Sequence, residues 1–280
     1  AFHACECRGE GLGWWRAWRL QGGYLGVRVG EASRPGPGRS SHDGLHVVTW
    51  NVVSLMTHQY DIERFLNHHV GEVGSSGRPA VVCLQEVGFG KKDLPVVYAW
   101  AHEAGWKVFA GAEDEGGRIQ VAVLVRRWMN PVCIRWPTLT TQDQCRIVGV
   151  RIPVTKSGRC ASVVNAYGLS HGSIFAKEER SGALVRRAVT DLLALGGCHP
   201  MVMCGDLNMV DPAAHWLLAP LFQRGLLTDM SAGLPFSFAA HDRWVSLLDH
   251  ILPSAEVAEW CVGIHVHQDH RLQPLTGHAP

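Results

Sequence analysis

The sequence predicts an α/β fold, arranged as a four-layer α/β sandwich in which two packed mixed sheets are flanked by helices. Three observations carry this. From Leu45 onward, short β-branched runs alternate with segments of helical period. Several of the runs follow one another with no helix between them, and together they are too many for one doubly wound sheet, so two sheets must pack face to face. The runs also end in polar residues of the same few kinds, at the strand ends where α/β folds gather their sites.

Composition sets the outer bounds. A chain of 280 residues, 46% apolar and 18% charged, can bury a large core, which excludes disorder as its main state. Its nine cysteines are odd in number and scattered, partly inside apolar runs such as Ala80-Val81-Val82-Cys83-Leu84. They read as reduced thiols of an intracellular protein. No uninterrupted apolar stretch reaches membrane-spanning length, so no membrane partner is expected. With 26 Lys+Arg against 25 Asp+Glu the formal charge is +1, and any phosphate binding must be local.

Residue 1 is Ala, and the opening residues lack the apolar stretch of a signal peptide, so the chain reads as an excerpt of a longer frame. Residues 1–44 read as an irregular N-terminal tail and linker. There Trp14, Trp15 and Trp18 sit among glycines, and the run from Arg34 to Ser41 suits neither helix nor strand. Cys5 and Cys7 read as free thiols, because no partner follows at zinc-like spacing. Residues 45–280 form the domain.

In order, the predicted strands are His46–Trp50, Ala80–Gln85, Trp106–Ala110, Ile119–Arg126, Arg146–Pro153, Ala161–Ala166, Met201–Cys204, Ser246–Leu252 and Cys261–His267. Helices lie between them. The clearest runs from about Lys177 to Leu195, with Leu184, Val185, Ala188, Val189, Leu192 and Leu193 on one stripe, Asp191 on the polar face, and Gly196-Gly197 as the stop.

Five strands end in a carboxylate, carboxamide or imidazole: Thr49-Trp50-Asn51, Leu84-Gln85-Glu86, Val164-Asn165-Ala166-Tyr167, Gly205-Asp206-Leu207-Asn208 and Leu248-Asp249-His250. Singly, Glu86 is a solvated loop opener and Asp206 a turn former. Their repetition at one kind of place points to a site.

These segments, with the terminal Thr276-Gly277-His278-Ala279-Pro280, stand in the order that resembles the endonuclease/exonuclease/phosphatase superfamily. The Asn-Ala-Tyr-Gly and Leu-Leu-Asp-His-Ile-Leu wording is most similar to the endonuclease domains of non-LTR retrotransposon proteins. The resemblance implies hydrolysis of phosphate esters with Mg²⁺, or Mn²⁺, a hard cation that takes oxygen ligands and keeps waters. It implies Glu86 and Asn51 at the metal, and Asp206 holding the attacking water. Asn208 would donate to the scissile phosphate, Tyr167 would donate its hydroxyl, and His278 would be oriented by Asp249. Asn165 and His171 are weaker phosphate contacts: Asn165 could simply close its strand, Tyr167 could be a core residue, and His171 could be a solvated loop histidine. His250 reads as packing, and Cys83 and Cys204 as inert core thiols.

Two departures from the family pattern bear on activity. Val53 stands where an acidic residue is common, and Gly277 stands where the final motif carries aspartate. A rival alignment uses Asp269-His270, but Pro280 follows His278 at the family's spacing. The strand that follows this motif in the family is absent, so the domain reads as C-terminally truncated, with one sheet short of a strand.

The implied function is Mg²⁺-dependent phosphodiester hydrolysis, with nicking of DNA by a retroelement-type domain as the leading form and a nuclear location if that origin holds. The alternatives are a phosphoesterase for RNA or a small phosphorylated substrate, and a decayed nucleic-acid-binding module. Lys91-Lys92, Arg126-Arg127 and Arg243-Trp244 are the candidate cationic contacts.

Overall fold

A computed structural model describes residues 25–29, 45–68, 81–153, 160–195, 200–234, 238–240 and 243–265. In chain order the elements are β1 (Leu25–Val29), β2 (Leu45–Asn51), α1 (Leu55–His68), β3 (Val81–Phe89), α2 (Leu94–Glu103), β4 (Trp106–Ala110), β5 (Ile119–Arg126) and β6 (Val132–Cys133). There follow α3 (Thr141–Gln144), β7 (Ile147–Pro153), β8 (Cys160–Ala166), α4 (Ile174–Ala194), β9 (Met201–Asp206) and α5 (Ala219–Gln223). The described chain closes with β10 (Phe238–Ala240), β11 (Arg243–Ser246), β12 (Asp249–Pro253), α6 (Ala255–Trp260) and β13 (Cys261–His265).

One sheet has the order β13-β1-β2-β3-β5-β4 and the other β12-β9-β8-β7-β6, with β10-β11 as a separate ribbon. Both sheets are mixed. β2 and β3 run parallel, as do β8 and β9, and each parallel pair is joined through a helix, α1 or α4.

The two-residue alternation of the strands sorts their side chains into layers. Val47, Val81, Cys83 and Val123 face Val150, Val163, Val202 and Ile251 in the slab between the sheets. Their neighbours Val48, Val82, Leu84 and Leu124 face outward onto Leu55, Ile62, Val97 and Trp100 of α1 and α2. On the far side, Val164, Ala166 and Met203 meet Leu184, Val185, Ala188, Val189 and Leu192 of α4, while Leu193, also expected on that stripe, is exposed. A fully buried valine or leucine contributes about 1.5–3 kcal/mol, so these three interfaces are the main source of stability. The result is the four-layer α/β sandwich read from the sequence.

Several local readings change. Leu25–Val29, inside the segment read as irregular, forms β1, antiparallel to β2 from Leu25↔Thr49 to Val29↔Leu45 and antiparallel to β13. Leu25, Val27 and Val29 alternate as a strand does, but the glycine-rich sequence on either side hides the signal. The predicted strand Ser246–Leu252 divides into the end of β11 and the start of β12. α4 begins earlier than expected, capped by Ser173, whose hydroxyl accepts from the Ala176 amide at 3.4 Å. Asp191 is buried, not solvated, and accepts from the Thr138 hydroxyl at 2.6 Å and the Thr138 amide at 3.1 Å. The rest of residues 1–44, and everything after residue 265, lie outside the described residues. Among the described residues, no helix is long and apolar enough to cross a membrane.

Candidate active site

The two parallel strand pairs end on the same side of the seam between the sheets. Asn51 closes β2, Glu86 lies in β3, Tyr167 follows β8, and Asp206 closes β9.

Asn51 is fully buried, and its side chain is oriented by the turn that follows it. Val53 takes φ 59° and donates its amide to Asn51 Oδ1 at 3.2 Å. With its oxygen engaged, Asn51 presents Nδ2, which donates to Glu86 Oε1 at 2.8 Å and to Asp206 Oδ2 at 2.9 Å. Asn51, expected beside Glu86 at the metal, is here the donor that joins two carboxylates.

Glu86 reaches this amide because the ladder between β3 and β5 is irregular after Gln85, and Glu86 itself sits at φ 53°. Tyr167 donates its hydroxyl to Glu86 Oε1 at 2.8 Å, with Ser170 Oγ at 3.4 Å. Burial, and then the Glu86 charge, push the phenol well above its ordinary value, so Tyr167 stays a donor. Its ring lies 5.0 Å from the Arg146 guanidinium.

Asp206 is buried, and its Oδ1 accepts from the Asn208 amide at 3.0 Å. Asn208 takes φ 52°, and its Nδ2 is buried with no hydrogen-bond partner among the described residues. Buried polar groups normally have partners, and this donor, two residues from Asp206, is open to a ligand oxygen or water. Two glycines let the strands close on this point. A Cβ on Gly205, at φ 144°, would run into the Ala166 carbonyl, and one on Gly168 would run into the Leu207 carbonyl.

Asp249 lies opposite Asp206 in register and is fully buried. Its expected partner His278 lies outside the described residues, as do Gly277, Asp269 and His270. Asn165 is corrected from a phosphate contact to a structural clasp. It is fully buried, its Nδ2 donates to the carbonyls of Leu84 and Ala122 at 2.8 and 2.9 Å, and its Oδ1 accepts from Gln85 Nε2 at 2.5 Å. Every polar atom of that amide is used in joining the sheets. His171 is exposed in the loop before α4.

The cationic candidates also divide. Arg126 is buried, stacked 3.8 Å from the Trp106 ring, and donates to the Ala104 carbonyl at 3.2 Å, which withdraws it from DNA. Arg127 lines a cleft of about 310 Å³ with Tyr98, His102 and Lys107, at the end of β5 away from Glu86. Lys91 pairs with Glu113 at 2.9 Å. Arg243 and Trp244 lie on β11.

Sequence reasoning missed Val53 as a backbone donor, Gln85 as the partner of Asn165, and the buried group Asp229, Ser231 and His250. Only the Gly205-Asp206-Leu207-Asn208 spacing hinted at a shaped turn.

Glu86 and Asp206 meet on one amide, and like charges that close favour a counter-cation. Among the described residues the polar atoms gathered here are oxygens and amide nitrogens, which suit a hard cation such as Mg²⁺ or Mn²⁺. Among the described residues no three His, Cys, Asp or Glu could surround a metal. The pair Glu86 and Asp206, joined on the Asn51 amide, fits an ion that takes one or two carboxylates and keeps several waters.

The two-sheet sandwich, with a carboxylate–amide cluster at its strand ends, leads to a family of phosphoester hydrolases. The chain belongs to the endonuclease/exonuclease/phosphatase family, whose sequence model matches residues 48–271. Among solved structures it is similar to the AP endonuclease LMAP from Leishmania major, with 14% identity, TM-score 0.59, and 76% of this chain and 80% of that chain covered. The human Nocturnin catalytic domain with bound sulfate anion matches at 15% identity and TM-score 0.54, covering 77% and 84%. A family protein from Bacteroides thetaiotaomicron matches at 16% identity and TM-score 0.54, covering 75% and 83%. Comparison with curated proteins returns no match.

Proposed function

We propose that this chain is a divalent-metal-dependent phosphodiesterase, with Mg²⁺ as its ion, that nicks DNA as a retroelement-type endonuclease domain. The observation that carries the reading is the Asn51 amide shared between Glu86 and Asp206, with the open Asn208 Nδ2 beside it.

Each residue has a chemical task. Asp206 holds the attacking water through a carboxylate oxygen and takes its proton as the bond to phosphorus forms. Asn208 Nδ2 donates to a non-bridging phosphate oxygen, where negative charge grows. Tyr167, kept protonated, and Asn51 hold the Glu86 carboxylate toward the phosphate. A Mg²⁺ at Glu86 would supply positive charge to the phosphate and the leaving oxygen. His278, paired with Asp249, would donate a hydrogen bond or a proton on the same side. DNA as the substrate draws support from the likeness to an AP endonuclease, and the retroelement reading from the Asn165-to-Gly168 and Leu247-to-Leu252 wording.

The test is conversion of supercoiled plasmid to the open circle with Mg²⁺, with EDTA, and with D206N. Metal-dependent nicking lost in D206N supports the reading. Hydrolysis of RNA or a small phosphate ester with no nicking would move the substrate to those classes, and binding without hydrolysis would favour a decayed module.

A further inference from the structure

His250 lies on β12 next to Asp249 and is 1% exposed, but it is not inert packing. Its Nε2 lies 2.8 Å from the Met209 carbonyl oxygen. A carbonyl only accepts, so Nε2 carries the hydrogen. On the other side of the ring, Nδ1 lies 3.1 Å from Ser231 Oγ and 3.8 Å from Asp229 Oδ2. Ser231 is itself fixed: its hydroxyl donates to Asp229 Oδ1 at 2.6 Å and accepts from the Ile251 amide at 3.3 Å. The imidazole is held from both faces, by the segment Asp229–Ser231 and by the turn after β9.

That turn carries Asn208. Asn208 sits at φ 52°, a region that asparagine tolerates but does not adopt by default, and two contacts fix it there. Asp206 Oδ1 takes the Asn208 amide, and His250 takes the carbonyl of the next residue, Met209. A leucine or phenylalanine could fill the same volume, but neither has a donor for that carbonyl.

We propose that His250 is a positioning residue, which acts through the Met209 carbonyl to hold Asn208 with its open amide toward the substrate phosphate, while Ser231 and Asp229 orient the ring. The phosphate contact rests on the functional reading above; the hold on the turn does not.

Two substitutions separate this from packing. In H250Q the glutamine Nε2 reaches where the imidazole Nε2 stood, whereas in H250N the shorter amide reaches only toward Ser231. Two readouts are taken on the full chain: amide hydrogen exchange across residues 207–210, and kcat and KM for plasmid nicking in Mg²⁺. H250N is expected to speed exchange at Asn208 and Met209 about tenfold and to lower kcat about tenfold with KM within about twofold. H250Q should recover most of both losses. Thermal melting of each variant identifies any general loss of structure, which would speed exchange everywhere and not only in this turn. Unchanged exchange in H250N, or equal damage in H250N and H250Q, overturns the proposal. If the wild-type chain shows no hydrolysis while H250N still loosens the turn and H250Q restores it, the functional reading has failed and the positioning role stands.

Discussion

The Asn51 side-chain amide on β2 donates to the Asp206 carboxylate on β9 at 2.9 Å, so one hydrogen bond ties the ends of the two sheets together. The same nitrogen donates to Glu86 at 2.8 Å. Each parallel strand pair delivers a carboxylate to this amide, Glu86 from β2/β3 and Asp206 from β8/β9. The amide holds apart two charges that would otherwise repel in a poorly solvated seam, and a site held this way has stability in reserve once a charge is removed.

Glu86→Gln tests that reserve. Gln Oε1 can accept from both Asn51 and Tyr167 as Glu86 Oε1 does, while the negative charge disappears. We expect a gain on the order of 1 kcal/mol, read as a rise in melting temperature of roughly 2–4 °C for a domain of this size. Metal-dependent hydrolysis should fall by at least about a hundredfold. A variant both less stable and fully active would contradict the arrangement.

Tyr167→Phe removes one hydroxyl and keeps the ring beside Arg146. Without its donor, Glu86 turns more freely, and kcat should drop roughly tenfold with little change in KM. Because burial and the Glu86 charge hold the phenol above its ordinary value of 10.0, the wild-type pH–rate profile should show no alkaline limb that disappears in the Phe variant. Such a limb would mean that Tyr167 ionises within the working range.

Much of the fold was legible because alternation does two jobs at once here. Val47 and Val48, or Val81 and Val82, face opposite cores, so the runs read as strands and as strands buried on both sides. The residues that the structure brings together at the strand ends, Asn51, Glu86, Tyr167, Asp206 and Asn208, stand where polarity breaks an apolar run. Residues whose role depends on conformation were not legible. Nothing in the letter Val announces φ 59° at residue 53, and Asn165 looks like Asn51 until the structure shows three of its bonds spent between the sheets. Arg126 looked cationic and exposed because sequence does not show the Trp106 ring beneath it. His250 looked like packing because its partners Asp229 and Ser231 are distant in the chain.

Val53→Asn addresses the strain directly. A β-branched residue in the left-handed region costs on the order of 1–2 kcal/mol, and asparagine tolerates that region better. The Val53 side chain is 42% exposed, so little apolar burial is lost, and the amide that holds Asn51 remains. Melting temperature should rise by a few degrees, corresponding to about 1 kcal/mol. Val53→Pro deletes the amide donor and, with its ring fixing φ at about −65°, cannot keep the turn at φ 59°, so both stability and activity should fall; a Pro variant with normal turnover would show that the Asn51 orientation depends on neither.

Asp229 predicts part of the acid response. Burial alone would raise its carboxyl, but the hydrogen bond and charge of His250, with the Ser231 hydroxyl and amide, outweigh burial and hold it below its ordinary value of 3.8. A carboxyl lowered on folding adds stability that is present above the unfolded value and lost as pH falls through the lowered folded one. The stability gap between wild type and Asp229→Asn should therefore be widest above about pH 4.5 and close as pH drops below 3.8. Chemical denaturation from pH 2 to 6 reads this, and a gap constant with pH would remove Asp229 from the acid transition.

The last prediction concerns the ion. Mg²⁺ gives up its waters reluctantly, so its hold depends on how many carboxylates face it, and on the alignment that makes Thr276-Gly277-His278 the final motif, Val53 and Gly277 take the places of two acids. Glu86 then supplies most of the charge, and affinity for Mg²⁺ should be weak. If Thr276-Gly277-His278 is the final motif, Gly277→Asp adds a charged oxygen next to the imidazole. It should tighten the Mg²⁺ titration about tenfold, in thermal stabilisation by the metal alone and in the concentration needed for nicking. The added carboxylate also favours the protonated form of His278, which would move the pH–rate profile toward higher pH. If Asp269-His270 is the working pair instead, Gly277→Asp leaves both titrations unchanged and Asp269→Asn weakens them. Because stabilisation by Mg²⁺ is read without turnover, the two alignments separate even in a chain that cuts slowly. A chain that Mg²⁺ and Mn²⁺ fail to stabilise in all three forms would be one that has lost its metal site, and with it the reading of this domain as a nuclease.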